Sequence, residues 1–129
     1  MRSRRKFKAL IFDDEPPFER LFTLLMAMLD WECEVVTRHE AALACLWSGH
    51  FDVIIIDYHI SEGNGLHFIL CLRKERITLP AILMSGDAKI LGPVRKDLLN
   101  VCAVLHKPFN ATQLSVVLAK VGPVSRLVL

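Results

Sequence analysis

Val53-Ile54-Ile55-Ile56 constrains this chain more than any other feature: four β-branched apolar residues in a row, ended by Asp57. Such side chains are stiff about χ1 and favour extended backbone. A strand apolar at every position must be buried on both faces, the condition of a parallel sheet covered by helices on each side. Less strongly β-branched runs recur at 9–12, 33–37, 81–84 and 101–105, and each reads as a strand.

Helical spacing fills the gaps. Phe18, Leu21, Phe22, Leu25, Met28 and Leu29 follow Pro16-Pro17, where the first turn of a helix tolerates proline. Residues 39–48 form an Ala-rich helix stopped by Gly49. Gly63-Asn64-Gly65 is a loop, and Leu66, Ile69, Leu70 and Arg73 continue as a helix. Residues 87–99 are expected to be mainly helical, with Gly92-Pro93 delaying the helix to about residue 93. Asn110 and Gln113 make a capping pair for a last helix. Its stripe is Leu114, Val117, Leu118 and Val121, and Gly122-Pro123 ends it.

Strand and helix thus alternate five times. The predicted fold class is α/β: a single doubly wound (βα)5 domain, a five-stranded parallel sheet with helices on both faces. Right-handed crossovers place every strand's C-terminal end along one rim, where open α/β sheets bind ligands. The expected boundaries are a basic arm over 1–6, one domain over 7–121, and an apolar tail or linker stump over 122–129.

Composition narrows the function classes. With 129 residues, 53% of them hydrophobic, the chain can bury a core without disulfides and is not a disordered one. A net charge of +2 gives no strong electrostatic case for nucleic acid, so no direct nucleic-acid contact is expected. Arg2, Arg4, Arg5, Lys6 and Lys8 crowd the start, either as a solvated arm or as one that meets a partner or membrane surface. The start lacks a signal-peptide core, and the most apolar window, 21–29, is too short for a membrane span. Cys33, Cys45, Cys71 and Cys102 form no CxxC pair, which argues against a zinc or dithiol site. Each is expected to pack as a small hydrophobe in a reducing compartment, hence the cytoplasm. His39, His50, His67 and His106 show no metal-like spacing and read as surface or helix residues. Trp31 and Trp47 are expected to cap the core, and Met26 and Met28 to pack within it.

The residues that end the strands carry the chemistry. Asp13 and Asp14 follow the first strand, Asp57 the third, Ser85 and Gly86 the fourth, and Lys107-Pro108 the fifth. Converging carboxylates repel, and a hard divalent cation such as Mg²⁺ relieves this while screening an incoming phosphate. Lys107 adds positive charge, Ser85 and the Gly86 amide can donate hydrogen bonds, and Asp57 in the middle is the natural nucleophile for an acyl phosphate.

These residues resemble the response-regulator receiver domain of two-component signalling over about residues 7–121. The matching pieces are Ile11-Phe12-Asp13-Asp14-Glu15-Pro16, Val53-Ile54-Ile55-Ile56-Asp57, Gly65 eight residues on, Leu83-Met84-Ser85-Gly86 and Lys107-Pro108-Phe109. The resemblance implies a flavodoxin-like sheet of order 2-1-3-4-5. It implies that Asp57 accepts a phosphoryl group from a histidine kinase or phosphotransfer protein. Asp14 and Asp57 would bind Mg²⁺, with Asp13 helping through water and the His59 backbone carbonyl as a further ligand. Lys107, after a cis bond to Pro108, would pair with the phosphoryl group, and Ser85 would turn inward to it. The Gly86 and Tyr58 backbone amides would contact it too. A conformational switch would then regulate a downstream protein or an attached output domain, with self-association into a homodimer left open. Only eight residues follow Val121, so no DNA-binding output domain is expected within this chain.

Three departures stand out. Ile60-Ser61 replaces the family's Met-Pro, yet the loop is expected to close. Val104 stands where the family usually has Tyr or Phe, and Gly92-Pro93 interrupts the usual output helix. Output is therefore expected to use an altered helix or another face. His59 and Asp87 either tune the phosphoryl lifetime or are plain loop side chains. The alternative function is a degenerate, non-phosphorylated receiver acting as an interaction module. An enzyme is not expected, beyond self-phosphorylation from a donor and slow autodephosphorylation. A haloacid-dehalogenase-type phosphatase needs a second acid two residues after its nucleophile. Asp57 has His59 there; Asp13 has Glu15, but the length leaves no room for a substrate cap.

Overall fold

The computed structural model describes residues 6–15, 17–87 and 99–121. Among the described residues nine elements follow in order: β1 (Lys8–Phe12), α1 (Pro17–Met28), β2 (Glu32–Val36), α2 (His39–Ser48), β3 (Val53–Asp57), α3 (Gly65–Lys74), β4 (Ala81–Ser85), β5 (Val101–His106) and α4 (Ala111–Ala119). The strands form one parallel sheet of order β2-β1-β3-β4-β5, as expected. Residues 1–5 of the basic start, the Gly92-Pro93 segment and the apolar tail 122–129 lie outside the described residues.

Alternation along the strands divides the core in two. Ala9, Ile11, Val53, Ile55, Ile82 and Met84 face α1 and α4, against Phe22, Met26, Leu114 and Leu118. Leu10, Phe12, Ile54, Ile56 and Leu83 face α2 and α3, against Ala42, Phe68, Ile69 and Leu72. Each central strand is therefore buried on both sides, which is why β3 tolerates no polar residue before Asp57. On β5, Val101 lies in the second cluster but Ala103 and Leu105 lie in the first. The register explains this: Ala81 pairs with Val101 and Ile82 with Ala103, so Cys102 is an extra residue that flips the faces.

Local signals act as expected at the helix ends. Asn110 and Gln113 make a full capping box, and Gly49 ends α2. Three expectations about burial fail. Leu21 and Met28 are 47% and 71% exposed, because the sheet-facing stripe of α1 centres on Phe22 and Met26. Trp31 is buried, stacking on Phe7 at 5.2 Å, but Trp47, in the last turn of α2, is 65% exposed. Cys71 is exposed on α3, while the other three cysteines are half-buried. His39 opens α2, in keeping with a helix residue, and its ring meets Phe12 and Phe68 edge-on at 5.4 and 5.1 Å. Among the described residues, no helix is long and apolar enough to cross a membrane.

Candidate functional site

Three of the five strands, β3, β4 and β5, extend one residue further than the apolar pattern, and this decides the site. Asp57 and Ser85 are the last residues of β3 and β4, not the first of their loops. Ladder bonds hold them: the Tyr58 amide donates to Met84 O at 2.7 Å, and the Lys107 amide to Ser85 O at 3.0 Å. Among the described residues, Asp13, Asp57 and Ser85 are the buried polar ones, 2%, 3% and 0% exposed.

Lys107 ties the crevice together. Its Nζ lies 2.5 Å from Asp57 Oδ2, 3.0 Å from Asp13 Oδ2 and 3.3 Å from Glu15 Oε1. The Lys107-Pro108 peptide is cis. The other oxygens are also held: Asp57 Oδ1 accepts from the His59 amide at 2.9 Å, and Asp13 Oδ1 from the Glu15 amide at 3.0 Å. Among the described residues, no buried side-chain nitrogen or oxygen lacks a partner.

The electrostatics follow from three carboxylates facing one ammonium. Burial pushes the Asp13 carboxyl up, and the Glu15 amide and Lys107 offset this only in part. Burial alone would lower the Lys107 ammonium, but its hydrogen bonds to Asp57 and Asp13 and their charges prevail, leaving it above its ordinary value. The two directions fit together. One cation is shared among three acids, so it is over-compensated while the buried Asp13 is under-compensated. Asp13, Glu15 and Asp57 each offer an oxygen within 4.8 Å of the others. An all-oxygen donor set with surplus negative charge suits a hard divalent cation.

The loop after β3 closes, as expected. His59 and Asn64 form an antiparallel bridge, and the Gly65 amide donates to Tyr58 O at 2.7 Å. Gly63 has φ +83°, and a Cβ on Gly65 would collide with the Asp57 carbonyl oxygen. Both positions therefore require glycine.

Not every expected residue stands where it was placed. Asp14 is half-buried after β1, but it is not among the three carboxylates that meet; Glu15 is. The Tyr58 amide, expected to face a phosphoryl group, is committed to Met84 O. The amide that faces the Asp57 carboxylate is that of His59, because β3–β4 pairing runs one residue past Asp57. Ser85 Oγ accepts from the Asp87 amide at 2.9 Å and donates to Asp87 O at 3.3 Å. Gly86 is exposed, with nothing within 4 Å of its Cβ position. Val104 is half-buried in the cluster under α2 and α3. Sequence reading missed Glu15; the available signal was its two-residue spacing from Asp13 and a side chain long enough to reach Lys107.

Sheet order and strand-end chemistry together define a flavodoxin-like domain with an acidic, lysine-bridged crevice. Residues 9–119 match the family model of the response regulator receiver domain. The chain belongs to that family. Among curated relatives, it is 24% identical over 107 residues to the transcriptional regulatory protein BasR of Escherichia coli, covering 83% of this chain and 48% of that one. It is 22% identical over 120 residues to the phosphate regulon transcriptional regulatory protein PhoB of Pseudomonas aeruginosa, covering 88% and 52%. The chain thus spans about half the length of these relatives. A receiver domain structure from Clostridium thermocellum superposes with TM-score 0.81 at 18% identity, covering 95% of this chain and 99% of that one. One from Methylobacillus flagellatus gives TM-score 0.79 at 24% identity, covering 89% and 98%. These likenesses show the fold.

Proposed function

We propose that this chain is a phosphoacceptor receiver of a two-component or phosphorelay system, with Asp57 as the acceptor. One observation carries the reading: Asp57 sits at the centre of the rim, its two carboxylate oxygens held separately by Lys107 Nζ and the His59 amide. A carboxylate so fixed is oriented for in-line attack without losing further freedom.

The donor is a phosphohistidine on a histidine kinase or phosphotransfer protein. An Asp57 carboxylate oxygen forms a bond to phosphorus, the P–N bond breaks, and the histidine leaves as a neutral imidazole after taking a proton. Lys107 Nζ, 2.5 Å from Asp57, follows the developing charge from carboxylate to phosphoryl oxygens. The His59 and Gly86 amides and the Ser85 hydroxyl supply hydrogen bonds to those oxygens. Mg²⁺ would be held by Asp57 with Asp13, Asp14 and the His59 carbonyl, and Glu15 joins that set. When bound, it supplies charge neutralisation between the acids and the phosphoryl group.

Ser85 carries the switch. Its hydroxyl exchanges the Asp87 backbone for the phosphoryl group, a contact made only in the phosphorylated state, and so shifts the population of the β4–β5 side. The signal passes to a partner protein or an attached output domain, in the cytoplasm. With Val104 in place of an aromatic ring, the read-out uses the segment between β4 and β5, or another face. The degenerate-module alternative gains no support, since acceptor, lysine, hydroxyl and acids are all in place.

The test is intact mass after incubation with a small phosphodonor, with Mg²⁺ or with EDTA, on the native protein and on Asp57→Asn. The expected result is a Mg²⁺-dependent gain of one phosphoryl group, absent in the variant. No gain in a folded native protein would overturn the reading and leave an interaction module.

A further inference from the structure

Helix α3 brings together a second pair of metal-binding side chains, on the face turned away from the sheet. His67 and Cys71 are four residues apart and so stand one turn above the other. Cys71 Sγ lies 3.7 Å from His67 Nε2, and both residues are exposed. A tetrahedral zinc ion with Zn–S of about 2.3 Å and Zn–N of about 2.0–2.1 Å holds its sulfur and nitrogen about 3.6 Å apart. The pair is therefore already at chelating separation. His67 is also fixed from below. Its amide donates to Asn64 Oδ1 at 2.8 Å, and its ring lies beside Gly63, 3.8 Å from where a Cβ there would sit.

We propose that His67 and Cys71 form a two-ligand surface site for a thiophilic divalent ion, with Zn²⁺ as the occupant. Spacing within the cysteines alone, or within the histidines alone, shows no such pair; the mixed His-x-x-x-Cys spacing does. A thiolate with an imidazole discriminates against Mg²⁺, which prefers the all-oxygen crevice at the rim. On binding, Nε2 gives its lone pair and the ring proton rests on Nδ1. The Cys71 S–H proton passes to buffer as the S–Zn bond forms, four of the six waters of the aqueous ion leave, and no electrons change hands. Water fills the remaining positions. The ion ties the first two turns of α3 together. That helix begins at Gly65, whose amide is bonded to Tyr58 O beside the acceptor strand, so the clip stiffens the segment leaving the crevice.

Cobalt(II) is the probe, added to the whole chain under reducing conditions with Mg²⁺ in excess to fill oxygen sites. A thiolate-to-cobalt charge-transfer band arises only with a sulfur ligand, so the acidic crevice is silent. The expected result is a band that saturates with added Co²⁺, is erased by Zn²⁺ and is absent in Cys71→Ala. His67→Ala is expected to weaken the apparent affinity at least about tenfold, the loss known even for groups outside the ligand set. Both side chains are exposed, and circular dichroism confirms that the variants fold. The proposal is overturned by no band in the native protein. It is equally overturned by a band that survives Cys71→Ala, which would assign the sulfur to Cys33, Cys45 or Cys102, or by an affinity unchanged in His67→Ala.

Discussion

Lys107→Met tests the charge balance of the crevice directly. Methionine keeps an apolar stem of similar length and removes the ammonium. The lysine side chain is 11% exposed, and the Asp13 and Asp57 side chains it bridges are 2% and 4% exposed, so neither acid can turn to bulk water. Removing one partner of a buried ion pair costs about 3–5 kcal/mol, because the surviving charge is left uncompensated. Glu15, whose side chain is 56% exposed, adds little to that figure. With a urea slope of about 2 kcal/mol/M, the unfolding midpoint falls by about 1.5–2.5 M. The loss depends on pH. Burial already raises the Asp13 carboxyl, and without the ammonium it rises further. A group whose folded-state pKa exceeds its unfolded value stabilises fully only below that unfolded value, and the contribution is lost as pH climbs through the folded-state pKa. The variant therefore regains stability as pH falls from neutral toward the unfolded carboxylate value of about 4, and the gap to the native protein narrows. Urea unfolding followed by far-UV circular dichroism, in EDTA, measures both effects. A midpoint shift under about 0.5 M at neutral pH, or a gap equally wide in acid, would refute the reasoning.

Other perturbations isolate the remaining parts. Gly65→Ala places a Cβ against the Asp57 carbonyl and forces the loop to move; it is expected to cost about 1–3 kcal/mol and to slow phosphoryl gain, read by urea unfolding and mass spectrometry. Asn110→Ala removes the capping box of α4 and is expected to cost about 1 kcal/mol by urea unfolding, without changing phosphoryl gain. Mg²⁺ at ten times its Kd is expected to stabilise the native protein by about 1.4 kcal/mol, seen as a higher thermal midpoint than in EDTA. Asp57→Asn is expected to lose most of that increment.

The fold was legible because its elements obey simple rules. A run such as 53–56 can satisfy its side chains only between two helical layers, and Asn110 with Gln113 can cap only one kind of helix start. The site was legible for a related reason. Asp57 interrupts an apolar strand at its end, where a carboxylate must meet a partner or water. What sequence could not show depends on distances across the chain. Glu15 joins the crevice because Lys107, 92 positions away, comes within 3.3 Å of it. Helical spacing alone did not show that Leu21 and Met28 turn outward, because the stripe of α1 is wider than the surface it covers. Trp47 was misjudged because its size suggests burial, yet its helix ends at Ser48 with the ring facing water.

The exchange of Tyr58 for His59 shows how fine the deciding detail is. Whether an amide faces the acceptor or closes the ladder depends on whether β3 pairs with β4 for one residue more. It does, and that extra bond, Tyr58 N to Met84 O, fixes the acceptor strand to the strand carrying Ser85. The next bond, Lys107 N to Ser85 O, fixes Ser85 in turn to the lysine. The acceptor, hydroxyl and ammonium are thus joined through consecutive backbone hydrogen bonds across β3, β4 and β5. In the proposed switch, a shift at Ser85 reaches β5 through this backbone. Val104, with no ring to rotate, leaves that route intact and removes only the side-chain signal that an aromatic residue would add.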